Sequence, residues 1–189
     1  MSKNKIAIDY INAQLSGFKP EFVKCVNRCF EFIERIHQPD GCLSNSIALF
    51  ICAKYYGYEP NLCYGLCTFE GKPFYHAWLE IGDIIIDLSI YGNVNYNPIA
   101  RLIWKKQLAT PYIGPYKNPY IRYGRFEFDT DWQISAIAQL EGCGFEQYMD
   151  GAPNGDMWKL VCQFLNEKPT QEVIKHLRLL IRKYSIYPD

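Results

Sequence analysis

The 189-residue sequence lacks any net charge, since twenty lysines and arginines are matched by twenty aspartates and glutamates. Without an excess of positive charge, binding to nucleic acid through a long-range electrostatic field is disfavoured. The sequence also lacks an apolar run of the roughly 20 residues that a membrane-spanning helix needs, and its N-terminus carries Asp9 in place of the apolar core of a signal peptide. We therefore expect a cytoplasmic protein with no nucleic-acid and no membrane partner, although a secreted effector with a non-cleaved signal would have the same features.

Histidine is scarce, with three residues, whereas cysteine occurs eight times. Such an excess of cysteine indicates a disulfide framework, a metal site or reduced thiols of which one is reactive. A reducing compartment disfavours disulfides. Cys63 and Cys67 share one face of a predicted strand, but an extended strand holds them too far apart for a single zinc ion. We therefore expect reduced thiols, no metal and no cofactor.

The length fits one domain, and the order of the predicted elements favours an α+β fold. The first predicted helix covers residues 20–36, with Pro20 at its first position and apolar residues at helical spacing as far as Ile36. The second runs from about Cys42 to Tyr56 and is followed by Gly57. Because this second helix is apolar on nearly every side, it is predicted to be buried.

A meander of three antiparallel strands is predicted to follow, and its strands cover residues 62–68, 74–81 and 84–88. Gly82-Asp83 fits a two-residue hairpin turn, which would pair Ile81 with Ile84. Residues 91–126 are rich in Tyr, Asn, Pro and Gly, and within them only 99–108 has helical spacing. We expect this long irregular stretch to line or cover a groove.

Three further helices are predicted in the C-terminal part. The first is opened by Thr130 and stopped by Gly142, the second covers residues 157–165, and the third is capped by Thr170. We expect a catalytic core with its N-terminal helix over residues 1–95. The Tyr- and Pro-rich arm and the helical extension, residues 96–189, would pack on the same domain.

Cys42 is the cysteine whose position favours reactivity, because it follows Gly41 at the start of the predicted buried helix. A helix N-terminus carries partial positive charge and free N–H groups, and both favour the nucleophilic thiolate. Gly41 would let a substrate carbonyl approach closely, with the backbone N–H of Cys42 directed at a developing oxyanion. By contrast, Cys25 and Cys29 lie on the apolar stripe of the first helix and are predicted to be core residues.

His76 lies within the second predicted strand, and Asp87 lies near the end of the third. With Ile81 paired to Ile84, these two residues are diagonal neighbours on one face and within reach of each other. A carboxylate at this position holds the imidazole in one tautomer and stabilises its protonated form. The buried helix packed on the sheet would bring Cys42 against His76, which gives a nucleophile, a base and an orienting acid.

Four segments together resemble the transglutaminase-like superfamily of papain-related cysteine enzymes, namely residues 42–49, 56–62, 76–80 and 86–87. Within it, the Cys-Leu start of the helix and the segment His76-Ala77-Trp78 look closest to the leader peptidases of lasso-peptide biosynthesis. The resemblance implies a papain-like core in which a helix packs on a small antiparallel sheet. It also implies Cys42 as nucleophile, His76 as general base and Asp87 as the orienting residue.

Two further residues enter the predicted site. Papain-like enzymes place a side-chain oxyanion donor before the nucleophile, and Gln38 is the available amide, at an offset of four residues. His37 is the alternative to His76 as the base, although it is predicted to end the first helix. His176 is predicted at the surface of the last helix.

The predicted function is a cysteine hydrolase or peptidase that forms a thioester with a peptide or protein substrate. A transglutaminase-type acyl transferase would use the same acyl-enzyme, so the sequence leaves this alternative open. Two alternatives remain: a binding module that keeps the fold without activity, and a bacterial effector with the same triad.

Overall fold

A computed structural model describes residues 3–117, 121–125, 145–151 and 157–181. The described helices are α1 (Lys3–Gln14), α2 (Pro20–Ile36), α3 (Cys42–Tyr55), α4 (Ser89–Tyr96), α5 (Pro98–Trp104), α6 (Phe145–Gly151), α7 (Met157–Leu165) and α8 (Gln171–Ile181). The strands are β1 (Pro60–Phe69), β2 (Lys72–Ile81), β3 (Ile84–Asp87), β4 (Tyr112–Pro115) and β5 (Ile121–Arg125). This is the predicted α+β fold, with helices packed on a five-stranded antiparallel sheet. In the part of the chain that is described, no helix is long and apolar enough to cross a membrane.

Helix α2 has the predicted bounds, because Pro20 begins it and its apolar residues recur at helical spacing. The buried stripe consists of Phe22, Cys25, Val26, Cys29, Phe30 and Ile33. The buried stripe ends one turn earlier than predicted, at Ile33, since Ile36 is 48% exposed. His37 then ends the helix in the left-handed conformation, with a φ of 49°.

Helix α3 is the central helix of the fold. The nine residues from Asn45 to Ala53 are all buried, as its nearly continuous apolar sequence predicts. It packs on β1 and β2 and also contacts α2, α7 and α8. Gly57 follows the helix with a φ of 82°, a conformation that glycine adopts without steric cost. Cys42 is therefore the first residue of a firmly packed helix.

Strands β1, β2 and β3 form the predicted meander, and the turn at Gly82-Asp83 pairs Ile81 with Ile84 as expected. β4 pairs with β3 and β5 pairs with β1, which gives the strand order β4-β3-β2-β1-β5. Because successive side chains of a strand point to opposite faces, β2 contributes to two cores. Leu79 joins the core between sheet and helices, whereas Trp78 joins a second cluster with Cys63 and Cys67.

The prediction that residues 91–126 are irregular apart from a helix over 99–108 is wrong. α4 already begins at Ser89, α5 ends at Trp104, and β4 and β5 extend the sheet at both of its edges. The helix stops early because Lys105 adopts a left-handed φ of 48°. The two strands are short and contain Pro or Gly, so they are fixed by pairing with β3 and β1 and have little local signal.

The sequence predicts no separate helix for α1, because its apolar residues are spread around the helix and form no single stripe. It is held by Ala7 and Ile11, which are fully buried in the main core. The hydroxyl of Tyr10 also donates a hydrogen bond of 2.9 Å to the carbonyl of Ile113 on β4. Tertiary contacts with α2 and β4 thus position this helix.

The C-terminal helices α7 and α8 lie where they are predicted, and Thr170 caps α8 by accepting a hydrogen bond of 3.3 Å from the backbone N–H of Val173. Both helices pack on α3. Asp150 of α6 accepts hydrogen bonds from Trp158 and Arg178, which joins the three helices. The predicted helix from Thr130 to Gly142, like Cys143, lies outside the described residues.

Candidate active site

Cys42 lies at the N-terminus of α3 and is partly exposed, whereas the other six described cysteines are buried thiols that form no disulfide. The preceding residue, Gly41, is the N-cap and provides no side-chain hydrogen bond to the helix. The N–H groups of the first turn are therefore available to an anion next to the sulfur. The side chain of Cys42 lies close enough to His76 to raise the pKa of the imidazole.

His76 and Asp87 form a buried pair. Nε2 of His76 lies 2.8 Å from Oδ2 of Asp87, and both side chains are fully inaccessible to solvent. Burial alone would lower the pKa of His76, but the charge of Asp87, the hydrogen bond to it and the interactions with Cys42 raise that pKa above its ordinary value. The carboxylate accepts the Nε2–H, so Nδ1 is the nitrogen that is left for proton transfer.

Asp87 has two further donors that the sequence did not reveal. Its Oδ1 accepts the backbone N–H of Ile90 at 3.0 Å, at the start of α4. Its Oδ2 also accepts the hydroxyl of Tyr123 at 2.8 Å, from β5 at the far edge of the sheet. Since β1 and β2 lie between β5 and β3 in the sheet order, this contact requires a curled sheet.

Asn93 contacts the other nitrogen of His76. Its Nδ2 lies 3.4 Å from Nδ1 of His76, and its Oδ1 accepts the backbone N–H of Asp40 at 2.9 Å. The bond to Asp40 fixes the orientation of the amide, because a backbone N–H can only donate, so Nδ2 of Asn93 can donate to Nδ1 when the imidazole is neutral. Asn93 thus joins His76 to the loop that leads into Cys42, and no motif in the sequence marks it for this position.

Gln38 lies beside the N-terminus of α3, where the resemblance places an oxyanion donor. Its Oε1 accepts a hydrogen bond of 3.1 Å from Nδ2 of Asn45. The same Asn45 nitrogen also donates to Oγ of Ser89 at 3.0 Å. With Oε1 held in this way, Nε2 of Gln38 lies next to Gly41. An ideal Cβ at residue 41 would come within 2.5 Å of Cδ of Gln38 and within 2.9 Å of Nδ2 of Asn45.

This arrangement changes the interpretation of Gly41. The sequence suggested that the missing side chain gives room to a substrate carbonyl. In the structure, that space is occupied by the amide of Gln38. Gly41 is therefore required for the close approach of Gln38 to the helix N-terminus.

The charge of Cys42 affects two tyrosines of other elements. Burial and then the negative charge of Cys42 raise the pKa of Tyr64 on β1 to about 12. The same two causes raise the pKa of Tyr148 on α6 above its ordinary value. The C-terminal part of the chain thus contributes a side chain to the surroundings of the thiol.

The remaining candidates lie elsewhere. His37 ends α2, and its ring packs on Tyr96 with 4.7 Å between the ring centroids. His176 is exposed on α8, as predicted. Cys63 and Cys67 are buried in the second cluster. Within residues 3–117, 121–125, 145–151 and 157–181, no group of three or more His, Cys, Asp or Glu side chains could hold a metal ion.

The comparison with known protein families agrees with this geometry. Residues 17–101 match the family model of the transglutaminase-like superfamily, so this segment is similar to a transglutaminase-like domain. Such a domain indicates a cysteine-dependent hydrolase or transferase. The match contains Cys42, His76 and Asp87 and ends within α5, before β4 and β5. No curated protein and no solved structure matches the chain.

Proposed function

We propose that this protein is a cysteine peptidase or amide hydrolase, with Cys42 as nucleophile, His76 as general base and acid, and Asp87 as the residue that orients His76. The observation that carries the proposal is the buried contact of 2.8 Å between Nε2 of His76 and Oδ2 of Asp87. It is supported by the partly exposed Cys42, which lies close enough to His76 to raise the pKa of that residue.

The reaction has two stages. The Cys42 thiolate forms a bond to the substrate carbonyl carbon, and protonated His76 donates its Nδ1 proton to the amine as the C–N bond breaks. The resulting thioester is then attacked by water, from which neutral His76 accepts a proton. Release of the acid restores the Cys42 thiolate and protonated His76.

Two donors would stabilise the negative oxygen of each tetrahedral intermediate. One is the backbone N–H of Cys42, which lies in the first turn of α3. The other is Nε2 of Gln38, whose orientation is fixed by the bond from Asn45 to Oε1. Donors at the place where charge develops contribute more to catalysis than donors to the ground state.

Within the superfamily, we infer a peptide-processing role of the kind found in the leader peptidases of lasso-peptide biosynthesis. The support is the Cys-Leu start of α3 and the segment His76-Ala77-Trp78, in which the indole N–H of Trp78 donates to Glu80 at 2.8 Å. The mechanism requires a free thiol at residue 42. This favours a reducing compartment, the cytoplasm.

Limited treatment with iodoacetamide, followed by peptide mapping, tests the nucleophile. We expect Cys42 to be alkylated first, and we expect Cys42→Ala to lose both this label and acylation by p-nitrophenyl acetate, an activated acyl donor. Cys63→Ala is the matched control, because this buried cysteine lies outside the proposed site. Preferential labelling of another cysteine, or acylation that survives in Cys42→Ala, would contradict the proposal.

A second experiment separates the alternatives that share the acyl-enzyme. The acylated protein is mixed with a fluorescent primary amine in water. Release of free acid supports a hydrolase, whereas formation of an amide conjugate supports a transglutaminase-type acyl transferase. If no cysteine reacts selectively, the enzyme proposal is wrong and a binding module that keeps the fold takes its place.

A further inference from the structure

Tyr123 is a buried residue that touches the proposed catalytic carboxylate from outside the family match. Its hydroxyl donates to Oδ2 of Asp87 at 2.8 Å, and this same oxygen is 2.8 Å from Nε2 of His76. We propose that Tyr123 is a positioning residue of the active site, which stabilises the Asp87 carboxylate and holds its Oδ2 against His76. This inference rests on the proposed role of His76 and Asp87.

The need for such a donor follows from burial. A carboxylate that is removed from water is costly unless its oxygens accept hydrogen bonds. The backbone N–H of Ile90 satisfies Oδ1 of Asp87. Tyr123 adds a second donor to Oδ2, in the direction that His76 does not occupy. With both oxygens bonded, the carboxylate has little freedom to rotate away from the imidazole.

The phenol remains a donor at any pH at which the protein works. Burial, and then the negative charge of Asp87, raise the pKa of Tyr123 well above its ordinary value. The other titratable groups around this pair are Cys42 on α3, Cys67 on β1 and Tyr112 on β4. Burial raises the pKa of Cys67 as well, so this neighbour stays a neutral thiol.

The ring of Tyr123 is held independently of its hydroxyl. It packs on Trp78, with ring centroids 5.0 Å apart, and on Tyr112, with centroids 5.6 Å apart. Its backbone pairs with Cys67 in the β1–β5 ladder. Tyr123→Phe therefore removes the hydrogen bond and leaves the packing in place. Tyr112→Phe is the matched control. It removes a tyrosine hydroxyl from the same ring cluster, but this hydroxyl donates to the carbonyl of Pro115 and not to Asp87.

The test measures the rate of iodoacetamide alkylation at Cys42 as a function of pH, together with p-nitrophenyl acetate acylation. Loss of one hydrogen bond to a charged group should reduce the acylation rate of Tyr123→Phe about tenfold. The pH midpoint of alkylation should rise by about one unit, since an Asp87 that is less well held stabilises the His76 imidazolium less. Tyr112→Phe should leave both quantities unchanged, and thermal melts of the two variants give their stabilities.

A double variant decides whether Tyr123 acts through Asp87. In an Asp87→Asn background, adding Tyr123→Phe should cause no further shift of the midpoint. An unchanged midpoint in Tyr123→Phe, a midpoint that moves to lower pH, or a second full shift in the double variant would overturn the inference. Failure of the proposed function is distinguishable, since wild-type Cys42 would then show no selective alkylation at all.

Discussion

The Gly41→Ala variant should separate two functions of the N-terminus of α3, namely holding the thiol and stabilising an oxyanion. The φ of Gly41 is −91° and its ψ is 17°, so alanine can adopt the backbone conformation. The added Cβ cannot coexist with the present position of Gln38, because it would lie 2.5 Å from Cδ of that side chain. Gln38 must therefore move, and its hydrogen bond with Asn45 is lost.

The cost in stability is small. One hydrogen bond contributes about 1 kcal/mol net, and alanine is a poorer N-cap than glycine by about 0.5 kcal/mol. A loss of about 1.5 kcal/mol should lower the Tm of a protein of this length by about 3–6 °C. The cost in acyl transfer is larger, because removal of one oxyanion donor typically slows the reaction about a hundredfold or more.

Two assays on the same variant distinguish these effects. Acylation by p-nitrophenyl acetate passes through a tetrahedral oxyanion, whereas alkylation by iodoacetamide displaces iodide and forms none. We expect Gly41→Ala to lose about a hundredfold in acylation and to keep its alkylation rate. Gly17→Ala is the control, because a Cβ at that glycine would meet nothing within 4 Å. Acylation at the wild-type rate would exclude Gln38 as the donor, and a parallel loss of alkylation would show that the whole helix N-terminus had moved.

Three further predictions concern the surroundings of the site and the C-terminal helices. Gly92→Ala should lower the unfolding free energy in urea by about 1–3 kcal/mol and reduce acylation. The reason is that the added Cβ would meet the Gln38 carbonyl and lie 3.1 Å from Cγ2 of Ile33. Unchanged stability would show that these two contacts do not limit residue 92. The folded state raises the pKa of His76 from 6.5 to about 10, so its contribution to stability is complete below pH 6.5 and is lost as the pH rises through the folded-state value. The unfolding free energy of the wild type should therefore fall more steeply over this pH range than that of His76→Gln, and equal slopes would refute it. The hydrogen bonds from Arg178 lower the pKa of Asp150 below 3.8. Asp150→Asn should therefore lower the unfolding free energy by about 1 kcal/mol or less at neutral pH. In thermal melts, the difference in stability between this variant and the wild type should vanish as the pH falls below 3.8.

The local part of the fold follows from the sequence. α2 and α3 have strong start and stop signals, and the two-residue turn at Gly82-Asp83 sets the register of β2 and β3. Because this register brings His76 next to Asp87, their contact could be predicted from periodicity and turn length alone. The position of Cys42 at a helix start required no tertiary information.

The remaining site residues could not be predicted, because they depend on contacts distant in sequence. Asn93 lies on α4, in a stretch where apolar spacing is obscured by Asn, Gly and Tyr. Tyr123 lies on a short edge strand with no alternation strong enough to mark it. Both reach His76 or Asp87 only because the sheet curls and α4 packs against the loop before Cys42.

The reach of Tyr123 from β5 to Asp87 also has a consequence for the order of folding. The contact between His76 and Asp87 spans 11 residues within one hairpin, whereas the contact between Asp87 and Tyr123 spans 36 residues. Closing the longer loop costs more chain entropy, so it should form after the hairpin. During refolding, the imidazole would meet its carboxylate before β5 arrives. We therefore expect the full alkylation rate of Cys42 to be recovered in a later step of refolding than the β2–β3 hairpin.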